Sequence, residues 1–150
     1  IGLGYLAVSF AFGIQAEAIG LQPWQAALMS LTNVTSAGQF AALGMIAAGA
    51  SYWEIALTPL LLHLRYCLMS CLLSHNMERV AGLGHRFGIA FGVTDELFAL
   101  SSLHPGALSP FYTYGLMTAA IPGWVLGTFL GVISGDLLPG NFVSALGLAI

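Results

Sequence analysis

The chain has 150 residues, of which 58% are hydrophobic and only 6% charged, against about 25% charged in an ordinary soluble domain. That inventory cannot build a water-facing surface, and a net charge of −3 offers neither a nucleic-acid face nor a polybasic lipid patch. The stretches 18–53 and 97–135 hold no Asp, Glu, Lys or Arg and show no two-residue alternation, so the composition predicts an all-α, polytopic transmembrane helix bundle.

Taken in chain order, the opening IGLGYLAVSFAFGI starts a first helix over residues 1–19 and reads as a truncated span. Gly20 to Pro23 break it, with Pro23 at or near the first helical position, where its missing N–H is harmless. The next segment, 24–49, would be about 39 Å long if fully helical, more than a hydrocarbon core of about 30 Å. In its middle lies TNVTSAG, 32–38, whose hydroxyls, amide and glycine compete with helical hydrogen bonding. Two readings follow: a helix broken and unwound from Thr32 to Gly38, or a continuous helix packing its small residues closely on a neighbour.

Gly49, Ala50 and Ser51 make the next break, and a helix is predicted over 52–74. It has Pro59 inside it and, amid leucines, His63 and Arg65. An arginine at mid-membrane is unfavourable by roughly 3 kcal/mol on insertion scales, so Arg65 needs protein, water and an acid beside it. Glu17, Asp95 and Glu96 are the candidates. Arg65 then serves as a fixed helix-to-helix ion pair, or as a substrate-carboxylate contact or gating pair. His63, two residues away, projects to nearly the opposite side and is either a neutral imidazole on a backbone carbonyl or a proton relay.

A polar loop at 75–86 holds Arg79 and Arg86, a weak cytoplasmic signal. A shorter helix is predicted over 87–102, carrying the adjacent carboxylates Asp95 and Glu96 about 100° apart, so that one could pair with Arg65 while the other titrates. A loop at 104–110 and a long span over 111–138 follow, closed by Pro139 and Gly140 before a new apolar run that ends at Ile150. Residues 1–150 thus read as one integral membrane domain, a fragment of a longer chain. AFGIQAE at 11–17 matches AFGVTDE at 90–96, and LQPW at 21–24 resembles LSPF at 108–111, which suggests an internal, inverted repeat of helix, broken segment and helix.

The break suggests a solute site. Free N–H groups from about Ala37 to Phe40 would present a positive helix end to an anion, with Asn33, Thr35, Ser36, Gly38 and Gln39 around it and Phe40 and Phe98 as apolar walls. The charge set beside it is Arg65, Asp95, Glu96, Glu17 and His63. Cys67 and Cys71, one turn apart on one helix, read as packing residues that cannot form a disulfide there, and without CxxC or HExxH spacing neither a metal site nor another cofactor is predicted. His75, His85 and His104 read as solvated loop residues, and Trp24 and Trp53 as interfacial anchors. No spacing demands an enzyme's nucleophile and base. A structural or channel-forming membrane subunit without saturable transport is the rival to a transporter.

AGQFAALGMIAAGAS at 37–51, EIALTPLLLHLRY at 54–66, VTDELFAL at 93–100 and WVLGTFLG at 124–131, with AFGIQAEAIGL at 11–21, carry a resemblance. In this order the chain resembles the AzlC-type branched-chain amino-acid permeases, the large subunit of a two-component bacterial inner-membrane exporter. The resemblance implies export of valine, leucine, isoleucine or a related apolar amino acid, and a small AzlD-type membrane subunit as partner.

Overall fold

The computed structural model describes residues 1–77, 82–135 and 137. Among the described residues the chain is all-α, with helices α1 (Gly2–Ala18), α2 (Pro23–Thr32), α3 (Ser36–Ala47), α4 (Tyr52–Asn76), α5 (Leu83–Phe91), α6 (Asp95–Ser102) and α7 (Pro110–Gly135). An isolated bridge joins Met77 to Leu108. Arg79, Pro139, Gly140 and the closing apolar run lie outside the described residues.

Local chemistry sets the boundaries. α1 and α3 each end on a glycine with positive φ, Gly20 at 84° and Gly49 at 68°. Around each glycine run the paired bonds of a Schellman motif, Leu21 N–H to Ala16 O with Gly20 N–H to Glu17 O, and Ala50 N–H to Met45 O with Gly49 N–H to Ile46 O. α2 opens with Pro23 at its first position, and α4 opens with a capping box in which Ser51 N–H donates to Glu54 Oε2 at 2.8 Å.

α4 and α7 are long and apolar enough to cross a membrane. The apolar window of α4 is not buried within the chain, unlike the core helix of a soluble protein, and Leu57, Leu60, Leu61, Leu64, Leu68 and Leu72 are exposed around it. Cys67 and Cys71 are also exposed on α4 rather than packed.

α1 lies along α7 on a seam of glycines. Gly123, Gly127, Gly131 and Gly135 recur every fourth residue and so share one stripe of α7. A Cβ on Gly131 would fall 2.9 Å from Gly13 Cα, and one on Gly123 3.0 Å from Gly2 O. Such backbone-to-backbone approach is how membrane helices associate when lipid removes the usual apolar drive.

Several expected boundaries shift. The chain is non-helical only at Asn33, Val34 and Thr35 between α2 and α3, so Thr32, Ser36, Ala37 and Gly38 are helical. The segment 87–102, expected as one helix, is interrupted at Gly92, Val93 and Thr94, because Thr94 accepts Leu97 N–H at 3.3 Å and starts α6 afresh. The backbone does not reproduce the repeat in its expected register: α7 runs without a break, and Glu17 lies in the last turn of α1 whereas Glu96 lies in the first turn of α6. What the two breaks share is Val-Thr, with Val34 and Val93 buried and Thr35 and Thr94 at N-cap positions. His75 is in the last turn of α4 and His85 in α5, where its Nδ1 lies 3.2 Å from Tyr114 Oη, so neither is a loop residue. His104 sits after α6 with its ring centroid 4.6 Å from that of Tyr112.

Candidate functional site

The N-termini of α3 and α6 face one cavity of about 280 Å³, with Thr35 and Ser36 from the first and Thr94, Asp95 and Glu96 from the second. Ile1, Gly4, Tyr5 and Val8 of the opening segment, Val34, Tyr66 and Trp124 complete its lining. The two helix ends are not equivalent. Thr94 caps α6, whose first turn also carries both acids against its positive end. Thr35 makes no cap bond: its hydroxyl lies 2.8 Å from Asn33 Oδ1 and 2.7 Å from His63 Nε2. Among the described residues, the first N–H groups of α3 therefore have no side-chain acceptor of their own.

Arg65 finds its acid on another segment. Its Nη2 lies 2.8 Å from Asp95 Oδ2, with the two side chains 49% and 45% exposed, and the same nitrogen donates to Tyr66 Oη at 2.9 Å. Tyr66 Oη in turn reaches Asp95 Oδ2 at 3.4 Å, and the guanidinium carbon stands 4.9 Å from the tyrosine ring centre. Glu96 is held separately: Tyr5 Oη donates to its Oε2 at 2.7 Å and also touches Thr94 Oγ1. Trp124 packs edge-on against Tyr5, with ring centroids 5.6 Å apart, and so fixes the tyrosine that holds the acid.

A second cavity, of about 160 Å³, lies on the other side of Val34, Thr35 and Tyr66, which line both. His63 and Asn33 face it, together with Thr32 at the end of α2 and Ala90 and Phe91 at the end of α5. Gly38 makes room for the imidazole, because a Cβ there would fall 2.5 Å from His63 Nε2. His63 and Arg65 were expected on nearly opposite sides of α4. Tyr66 joins them instead, its ring 5.6 Å from that of His63 and its hydroxyl on Arg65.

Of the residues singled out from sequence, the structure brings Asn33, Thr35, Ser36, His63, Asp95 and Glu96 to line these two cavities, with Arg65 paired to Asp95 and Gly38 behind His63. Four others lie elsewhere. Gln39 is fully buried, accepting from Trp124 Nε1 at 2.8 Å and donating to Ser30 Oγ at 3.2 Å, so its amide ties α3 to α7 and α2. Phe40 packs edge-on against Phe12 at 5.5 Å, and Phe98 packs with Leu73, Met77 and Ile89. Glu17 is beside Gly135 at the far end of the α1–α7 seam and is not the partner of Arg65. The residues sequence reasoning missed are Tyr5, Tyr66, Thr94 and Trp124. Only Thr94 carried a local signal, a threonine followed by two acids, which marks a helix start.

The family model described as AzlC protein matches residues 1–138. The chain is similar to the "Inner membrane protein YgaZ" of Escherichia coli (strain K12), 32% identical over 140 residues that cover 91% of this chain and 57% of that protein. It is likewise similar to an "Uncharacterized membrane protein" of Archaeoglobus fulgidus, 32% identical over 138 residues covering 92% of this chain and 59% of the relative. A further "Uncharacterized membrane protein", from Helicobacter pylori (strain ATCC 700392 / 26695), is 27% identical over 138 residues, covering 89% and 59%. The chain thus spans less than two thirds of the length of these relatives. No solved structure matches it significantly. Because the family match takes in every helix described above and both cavities, the chain belongs to the AzlC protein family.

Proposed function

We propose that the chain forms the solute-binding core of a bacterial inner-membrane exporter for branched-chain or other apolar amino acids, acting with a small AzlD-type membrane subunit and coupled to protons. The observation that carries this reading is the larger cavity, where an uncapped helix N-terminus at Ser36 and a pair of acids, Asp95 and Glu96, line one space with Val8, Val34 and Trp124. A zwitterion needs both signs of charge, and an aliphatic side chain needs an apolar wall. The carboxylate sits on the α3 end, as anions do at helix N-termini, and the ammonium on Glu96. At about 280 Å³ the space is just below the range of about 300–1,000 Å³ that takes drug-sized ligands, which suits a small solute. The proton coupling we propose resides on the acid pair, Asp95 and Glu96, which line the solute space. Arg65 is the counter-ion released or recaptured as the site alternates.

The test is counterflow of labelled valine into proteoliposomes that contain the complete protein and its partner, comparing wild type with Glu96→Gln and Arg65→Ala. Saturable exchange that falls in both variants supports the reading. Exchange that is unchanged in both removes the site assignment, and no exchange by wild type removes the solute.

A further inference from the structure

The smaller cavity has a chemistry of its own. α2 ends at Thr32 and α5 at Phe91, so carbonyls point along both helix axes toward the breaks, with the equivalent of about half a negative charge at each end. Among the described residues, no backbone N–H donates to the carbonyl of Thr32 in α2 or of Ala90 and Phe91 in α5, three residues that line the cavity. His63, which lines this cavity, is halfway along the 25 residues of α4, a membrane-span candidate, so the helix ends meet beside the middle of that helix, the depth of the hydrocarbon centre when α4 spans. Unpaired carbonyls at that depth are costly unless something polar or charged meets them.

Asn33 and Thr35, which also line this space, each carry a side-chain oxygen. Thr35 Oγ1 is 2.8 Å from Asn33 Oδ1 and 2.7 Å from His63 Nε2. A hydroxyl has one proton and two lone pairs. With that proton on Asn33 and an N–H donated by His63, each oxygen keeps one lone pair unused. No carboxylate lines the cavity, and the nearest ion pair, Arg65 with Asp95, is closed on itself beyond Tyr66. Among the described residues no group of three His, Cys, Asp or Glu stands together.

From these features we infer that the smaller cavity binds a monovalent alkali cation, held by the carbonyl ends of α2 and α5 with Asn33 Oδ1 and Thr35 Oγ1. Neutral oxygen donors select a hard ion, and the absence of a carboxylate from the lining disfavours Ca²⁺ and Mg²⁺, which are bound through acids. The cation and the solute share the wall formed by Val34, Thr35 and Tyr66, so occupancy of one cavity positions the helix ends that serve the other.

Cation binding is measured on the full-length protein in detergent, as the thermal unfolding midpoint titrated with NaCl, KCl or choline chloride at constant ionic strength. A saturable rise with sodium or potassium and none with choline is expected, and the more effective salt identifies the ion. Asn33→Ala should raise the half-saturating concentration about tenfold, the loss of one charge-assisted oxygen contact. Asn33→Asp, which places a carboxylate against the cation, should lower it, an effect that a purely structural asparagine would not produce. Equal midpoints in the three salts overturn the inference, as does an Asn33→Asp protein whose half-saturation does not fall. Because the readout needs no transport, failure of valine exchange leaves it standing or falling on its own.

Discussion

Replacing Gly131 by alanine adds one methyl to the tightest part of the α1–α7 seam. Its Cβ would stand 2.9 Å from Gly13 Cα and 3.0 Å from the carbonyl carbon of Phe10, with Phe10 O closer still. Carbon atoms pack comfortably at about 3.5–4.0 Å, so the two helices must part by roughly 0.5–1 Å. The atoms in the way are backbone, and no rotamer change relieves them. Overpacking of this kind costs about 1–3 kcal/mol, while alanine in place of glycine returns up to about 1 kcal/mol of helix propensity. The expected net effect is a loss of about 1–2 kcal/mol, or very roughly 2–8 °C in the unfolding midpoint of a protein of 150–250 residues. Gly44→Ala is the control, since a Cβ there meets nothing within 4 Å, and it should leave the midpoint level or raise it. Differential scanning fluorimetry of the purified full-length protein in detergent measures both. If Gly131→Ala proves as harmless as Gly44→Ala, the close approach of α1 and α7 is wrong.

Gly38→Ala should push the imidazole of His63 off Thr35 and lower valine exchange, and adding His63→Ala should cost less than the sum of the two single changes, because the methyl then has nothing to displace. Gln39→Leu leaves the indole N–H of Trp124 without its acceptor and should destabilise the protein by about 1–3 kcal/mol in the same fluorimetric assay. Tyr5→Phe removes the hydroxyl that holds Glu96 while leaving the ring on Trp124, so exchange should fall with little change in unfolding midpoint. A double-mutant cycle on Arg65→Gln and Asp95→Asn should give a coupling of about 1 kcal/mol or more, between the values for exposed and buried pairs, as their half exposure requires.

Much of this fold is written in short-range chemistry. Glycine and proline mark the end of α1, the start of α2 and the end of α3, and the arginine among the leucines of α4 demanded an acid elsewhere, which Asp95 supplies. The break between α5 and α6 escapes hydropathy, and only Thr94 followed by two acids marks it in the sequence. Hydropathy does not register a threonine that spends its hydroxyl on a backbone N–H. The glycines of α7 were plain in spacing, but their role depends on α1, more than a hundred residues away. Gln39 illustrates the limit in the site itself: a polar side chain beside a helix break reads as a ligand until Trp124 and Ser30 are seen to use its hydrogen bonds. Phe40 and Phe98 fail for a related reason, since nothing local says which face of a helix meets a cavity and which meets a core. Tyr66 could not be foreseen as the link between His63 and Arg65, because helical spacing sets those two apart and only a shared neighbour reunites them.

The most direct test of the larger cavity as the solute site is chemical protection at Ser36, which lines it and is exposed. In a background of Cys67→Ser and Cys71→Ser, with the full-length protein in membranes, Ser36→Cys should react with a water-soluble maleimide. Saturating leucine should slow that reaction severalfold, whereas an equal concentration of an apolar alcohol of similar size should not. Labelling at one rate with and without leucine would contradict the placement of the amino acid between the α3 N-terminus and Glu96.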